Sequence, residues 1–246
     1  MTSTAQDNEA PARGPASLAK RCLDIGYFTN RPRAMLDFWQ QQLGLTCEPP
    51  VPFNDGLVQY RHALGASVLK INTAAGGVAE QVPCGWRELL IASAGVDAPR
   101  ALTDPDGNGI QLVPRGYLGI EGIGLRLAVR DISRARHFYG DILALPALGR
   151  DVYAAGDSRL FIEEDAHAAP AGHWVNAGLR YVTLHVRRVD AAYAAFVAAG
   201  AAPGEAPYSI GHIARISFVR DPDGNWIEVA QRAALAGPWW DDNEAE

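Results

Sequence analysis

The chain is poor in cysteine: Cys22, Cys47 and Cys84 are the whole set in 246 residues. None stands in Cys-x-x-Cys spacing. A sparse, odd set excludes a disulfide scaffold, gives no zinc pattern, and fits small core thiols in a cytoplasmic protein. No apolar run approaches the roughly eighteen residues that a membrane-spanning helix needs. The segment from Met1 to Ala19 is rich in Ala, Pro, Ser and Thr, carries Asp7 and Glu9, and lacks the apolar stretch of a secretion signal, so it reads as a disordered tail. An excess of positive charge is also missing. Against 28 acidic residues there are 22 Lys and Arg, for a net charge of −6, which argues against a phosphate-binding surface. Small molecules remain as expected partners, together with a second copy of the chain in a homodimer, and neither nucleic acid nor membrane.

What the chain does contain is a turn written twice. Asp104-Pro105-Asp106-Gly107-Asn108 and Asp221-Pro222-Asp223-Gly224-Asn225 lie 117 residues apart, from 221 minus 104. Aspartate can bond nearby backbone N–H groups, proline pre-sets φ, and glycine accepts positive φ, so each copy predicts a tight turn between strands. A strand-like run follows each one, with Gln111 in the first and Glu228 at the same place in the second. Repetition at this spacing predicts two related halves.

Four units emerge in order. Strand-like Leu23–Thr29 precedes a helix opened by Pro32, with Met35, Phe38, Trp39 and Leu43 apolar, and strands then fall near 56–61 and 67–72. A second unit begins at 87–92, but the ten or so residues before Leu102 and the interruption by Pro99 leave no room for a crossover helix. In the third, 124–129 alternates, Asp131 caps a helix with Phe138 and Tyr139 on its apolar stripe, and strands follow near 151–154 and 159–163. The fourth has a strand at 181–186, a helix at 189–199 stopped by Gly200, and a closing hairpin of 214–219 and 226–230.

Four β-α-β-β-β units, a Phe-Trp or Phe-Tyr pair followed by Leu43-Gly44-Leu45 or Leu143-Ala144-Leu145, and the closing Asp-Pro-Asp-Gly-Asn-x-Ile-Glu resemble the vicinal oxygen chelate superfamily. That superfamily includes glyoxalase I, extradiol dioxygenases, and fosfomycin and bleomycin resistance proteins. The resemblance implies an α+β fold in which paired units form two half-open barrels, the second unit lacking its helix. In sequence order these would be an N-terminal barrel of residues 20–116 and a C-terminal barrel of residues 117–233, flanked by tails 1–19 and 234–246. Metal-dependent members hold a divalent ion by a residue at the start of a unit's first strand and by the Glu after the terminal turn. The ion, iron, manganese, zinc or nickel, polarises two substrate oxygens.

Counting back from the helix starts puts Gly124, Tyr181 and Asp24 at that first-strand position. Alternation then aims Arg126, Tyr181, Thr183, His185 and Glu228 into one cavity. Glu228 is the candidate base and the candidate metal ligand. Tyr181 and Arg126 would polarise or hold an oxygenated substrate, Thr183 would line the same face, and His185 or His212 would relay protons. Each has a structural alternative: an Arg126–Glu228 ion pair, a satisfied histidine at 185, and an exposed loop histidine at 212. The other barrel presents Asp24, Lys70 and Gln111, where an ammonium would repel a cation. Two function classes follow. One is an enzyme of glyoxalase or extradiol dioxygenase type acting on a small oxygenated substrate, aromatic or not, in the C-terminal barrel. The other is a metal-free protein that sequesters a small molecule, as bleomycin resistance proteins do. Placed on a cavity face, Glu228 is expected to tolerate replacement by Gln without loss of folding.

Overall fold

The computed structural model describes residues 17–53 and 56–240. Residues 1–16 of the expected N-terminal tail and 241–246 of the acidic C-terminal tail fall outside the described residues. Within the first tail, Ala19 N–H donates to the His185 carbonyl at 2.8 Å and Arg187 N–H to the Ser17 carbonyl at 3.1 Å, so residues 17–19 are held against the fourth unit.

The first unit comprises β1 (Asp24–Phe28), α1 (Pro32–Asp37), β2 (Val51–Pro52), β3 (Leu57–Leu64) and β4 (Ser67–Ala74). The second has β5 (Trp86–Ala92), β6 (Arg100–Thr103) and β7 (Gly109–Val113), and reaches β6 without a helix. The third has β8 (Ile123–Val129), α2 (Ile132–Arg136), β9 (Ala147–Gly149), β10 (Val152–Ala155) and β11 (Ser158–Glu164). In the fourth come β12 (Gly178–His185), α3 (Val189–Ala198), β13 (Ala202–Pro203), β14 (Tyr208–Ile210), β15 (Ala214–Arg220) and β16 (Trp226–Arg232), with a last short helix α4 (Ala233–Ala236). Among the described residues no helix is long and apolar enough to cross a membrane.

Local chemistry sets these boundaries. Pro32 stands in the first turn of α1, where a missing N–H is no loss. Asp131 caps α2 by accepting from Ser133 N–H at 2.9 Å and Arg134 N–H at 3.0 Å. Both helices widen into a π turn, Phe38–Gln42 and His137–Ile142, closed by Leu43 N–H to the Phe38 carbonyl and Leu143 N–H to the Phe138 carbonyl. The aromatic pairs Phe38-Trp39 and Phe138-Tyr139 are thereby buried in the core.

Two sheets result, one in the order β13-β15-β16-β12-β1-β4-β3-β2 and the other β6-β7-β5-β8-β11-β10-β9. The first unit therefore shares a sheet with the fourth, and the second with the third. This differs from the sequence-order division at 116 and 117: β1 pairs with β12 and β5 with β8, while the repeated turns tie the two sheets to each other. Each turn Asp accepts from two backbone N–H groups and from the Asn side chain of its own turn. The Asn carbonyl oxygen is thus turned outward and latches the opposite half: Asn108 Oδ1 accepts from Leu179 N–H at 3.1 Å, and Asn225 Oδ1 from Gly85 N–H at 2.7 Å. Antiparallel pairing of β1 with β12, Asp24 opposite Thr183 and Gly26 opposite Tyr181, completes the first-with-fourth barrel. Side chains that point away from its interior, among them Ile25, Ile71, Val182 and Val229, join Leu89, Leu125, Leu127 and Phe138 of the other half in one apolar core.

Candidate functional site

The barrel of the first and fourth units is open inside. Strand alternation brings Tyr181, Thr183 and His185 of β12, Glu228 of β16, Lys70 and Asn72 of β4, and Gln59 and Arg61 of β3 to its inner face. Thr183 pairs across to Glu228 on one side and Asp24 on the other, while Gly26 lies opposite both Tyr181 and Lys70. A Cβ at Gly26 would come within 2.1 Å of the Tyr181 ring, so the bare glycine is what lets this ring lie flat on β1.

At the centre, Lys70 Nζ donates to Glu228 Oε2 at 2.5 Å and to Thr183 Oγ1 at 2.7 Å, and the Thr183 hydroxyl donates in turn to the same Glu228 oxygen. The three side chains come from three strands and two units, and all are buried. Beside them Asn72 Nδ2 donates to Tyr181 Oη at 3.2 Å and accepts through Oδ1 from Gln59 at 2.9 Å. Burial, with Glu228 adding to it, pushes the Tyr181 hydroxyl well above its ordinary range, so it stays a neutral hydroxyl.

A second buried pair lies one pleat further on. His185 Nε2 is 2.7 Å from Asp24 Oδ2, and Asp24 Oδ1 accepts from Lys20 Nζ at 2.5 Å and Val68 N–H at 2.8 Å. Burial works to raise the Asp24 carboxyl, but the hydrogen bond and charge of His185, with Lys70 and Lys20, hold it below the usual carboxylate range. Burial pushes His185 down against the opposing pull of Asp24. An ionised Asp24 and a neutral imidazole place the His185 proton on Nε2, leaving Nδ1 with its lone pair and no partner.

This arrangement carries a pH prediction. A histidine whose folded pKa lies below its unfolded value of about 6.5 adds stability that is complete above that pH and declines as the unfolded chain takes the proton first. His62, also depressed by burial, acts in the same sense. Asp104, pushed up to about 6 by burial against the hydrogen bonds of Asn108, acts in the opposite sense as pH rises from 3.8 to that value. Urea unfolding of the wild type and of His185→Gln, between pH 7 and 5, isolates the first effect because His62 and Asp104 are common to both. The wild type should lose stability relative to the variant on acidification, by at most about 1.4 kcal/mol per pH unit. Parallel curves would remove His185 as the source.

Above these pairs the cavity encloses about 590 Å³. One end is aromatic. Trp174 stacks on Phe218 with ring centroids 4.7 Å apart, and Tyr181 and Phe28 meet Trp174 edge-on. The other end is cationic, with Arg61 on β3 and Arg232 at the end of β16 joining Lys70 in the wall. The bearings of these residues suit a small molecule with an apolar body and acceptor groups.

Tyr181, Thr183, His185 and Glu228 thus come together, as the strand parity places them. Arg126 does not join them. It belongs to the other sheet, where its guanidinium bonds Glu88 at 3.1 Å and Glu163 at 2.6 Å. Neither the polarising role beside Tyr181 nor the ion pair with Glu228 is open to it. That second barrel is filled: Leu90, Val113, Ile120 and Phe161 pack together inside it, and a Cβ on Gly124 would meet the Ile120 side chain at 2.8 Å. His212 also lies apart, exposed in the turn between β14 and β15 with its ring 4.7 Å from Trp240. It is not among the residues lining the cavity that holds Glu228. Pairing the first unit with the second set Lys70 in the other barrel and left Asn72, Gln59 and Arg61 unnoticed. Their signal was polar side chains at alternate positions, 59 and 61 of β3 and 70 and 72 of β4.

The donor set does not fit a divalent ion. Glu228, the candidate ligand, spends its inner oxygen on an ammonium and a hydroxyl, and Lys70 sets a positive charge where a cation would have to sit. Among the described residues no group of three His, Cys, Asp or Glu side chains converges.

Residues 123–229 match the family model described as the Glyoxalase/Bleomycin resistance protein/Dioxygenase superfamily. That segment supplies one unit to each barrel. Glyoxalase I from Zea mays superposes with a TM-score of 0.67 at 16% identity, over 85% of this chain and 92% of that one. A protein from Bacillus subtilis described as a "putative dioxygenase" gives 0.67 at 14% identity, over 88% and 86%. At these identities the likeness is one of fold. No curated protein matches the chain.

Proposed function

From a chain whose residues 123–229 match the family model of the Glyoxalase/Bleomycin resistance protein/Dioxygenase superfamily, we propose a small-molecule-binding protein that works without a metal ion. Its site is the cavity between the first and fourth units. The observation that carries this reading is the ammonium of Lys70 on Glu228 at the centre of the barrel. A fixed internal cation there repels a metal ion and still offers donors to an oxygenated ligand. The aromatic end supplies the apolar contact that holds a ligand of low polarity. Three free cysteines fit a cytoplasmic location.

The test uses full-length protein purified without chelator. Trp174 lines the cavity, so intrinsic fluorescence follows titration with small aromatic, oxygenated compounds, before and after treatment with EDTA. Saturable binding at one site per chain, unaltered by EDTA, is the expected result. Stoichiometric iron, manganese, zinc or nickel whose removal abolishes binding would overturn the reading.

The His185–Asp24 pair favours a second reading, a metal-independent enzyme that moves a proton at its bound ligand. A neutral imidazole oriented by a carboxylate through Nε2 presents Nδ1 as a base. Tyr181, Lys70 and Glu228 would then orient the substrate. His185→Gln separates the two readings: an enzyme loses turnover while keeping ligand affinity, whereas a sequestering protein shows no turnover to lose.

A further inference from the structure

Resting on the binding reading above, we infer that the cavity takes an aromatic monoanion, with its oxyanion between Arg61 and Arg232 and its rings against Trp174 and Phe218. Lys70 is matched by Glu228, and Arg61 by Glu48 through Nε at 3.0 Å. Arg232 has no ion-pair partner among the described residues, and burial together with repulsion from Arg61 lowers its pKa. One positive charge in the wall is therefore left over. The Arg61 side chain is also incompletely used, since Nη2 is buried and bonds nothing. Two guanidinium groups with spare N–H donors lining one half-enclosed space, Arg61 from β3 and Arg232 from β16, are the usual receptor for a carboxylate or sulfonate.

Strand register gives the ligand its length and direction. Phe218 lies opposite Glu228, and Ala214 opposite Arg232. Four residues along β16 span about 13 Å at the usual rise, so an anion at Arg232 reaches the aromatic end only through a scaffold of about two rings. The Trp174 indole N–H is buried without a partner as well. A dianion is disfavoured, because the second charge would face Glu228 with no cation left to match it.

Two dyes that share a skeleton and differ in one group test this. Anilinonaphthalene sulfonate is an aromatic monoanion, and N-phenyl-naphthylamine is the same framework without the sulfonate. Fluorescence enhancement is titrated with each on the wild type, Arg232→Gln and Arg232→Lys, with the thermal midpoint of each protein as the folding control. The sulfonate should bind the wild type at one site, about tenfold more tightly than the neutral dye. Arg232→Gln should erase that preference by weakening the sulfonate alone, and Arg232→Lys should restore most of it. Equal affinities for the two dyes, or an equal loss of both in Arg232→Gln, would overturn the anionic assignment while the binding reading stands. Failure of both dyes to bind saturably would remove both.

Discussion

Lys70→Met should lower the stability of the protein by about 3–5 kcal/mol, the range for stripping one partner from a buried ion pair. The substitution keeps the length of the side chain and removes its charge, so packing is nearly conserved. What remains is a Glu228 carboxylate, 6% exposed, with Thr183 as its one remaining named donor. Adding Glu228→Gln to Lys70→Met should recover at least half of the loss, since a neutral amide can still accept from Thr183. By the same reasoning Glu228→Gln alone is not the silent change expected of a residue on an open cavity face, because it leaves the Lys70 ammonium buried with no carboxylate. Denaturant unfolding of the three variants forms a double-mutant cycle. Additive losses in the double variant would mean that the two charges stabilise the barrel independently, and the ion pair would lose its place in this account.

Lys70 also shows how far a sequence carries a site of this kind. The chain has two lysines against twenty arginines, and both lysines sit on buried carboxylates of the one cavity, Lys20 on Asp24 and Lys70 on Glu228. An ammonium is compact and approaches one oxygen closely, whereas a guanidinium is a flat fork needing more room. Strand parity was legible because a two-residue pleat leaves little freedom: it put Tyr181, Thr183, His185 and Glu228 on one face and Ile227 and Val229 on the other. The units, turns and missing second helix were legible from turn chemistry and length.

The pairing of units was not. Each unit ends in an equivalent strand edge, and nothing local says which other edge it will meet. That choice is made by long-range strand pairing, β1 with β12 and β5 with β8, which no periodicity reports. Arg126 is placed by the same choice. Its strand alternates as the sequence implies, but that face belongs to the barrel closed by Phe161 and Ile120. There Glu88 and Glu163 are its partners.

The repeated turn should be nearly as sensitive to substitution as the central ion pair. Asp221, 2% exposed, accepts four hydrogen bonds: Asp223 N–H at 2.9 Å and Asn225 N–H at 2.8 Å on Oδ1, Asn225 Nδ2 and the Tyr139 hydroxyl, both at 2.9 Å, on Oδ2. Asp221→Ala strands four buried donors at once, and a loss of about 3–5 kcal/mol is expected from the desolvation they would suffer. Asp104→Ala should fall short of that, because its carboxylate serves three donors and no tyrosine hydroxyl. The damage should also travel. Without Asp221 to hold its amide, Asn225 no longer presents Oδ1 to Gly85, so amide exchange at Gly85 should quicken together with that of the turn itself. An Asp221→Ala protein that keeps its protection at Gly85, or that is no less stable than Asp104→Ala, would show that the latch between the halves does not depend on this carboxylate.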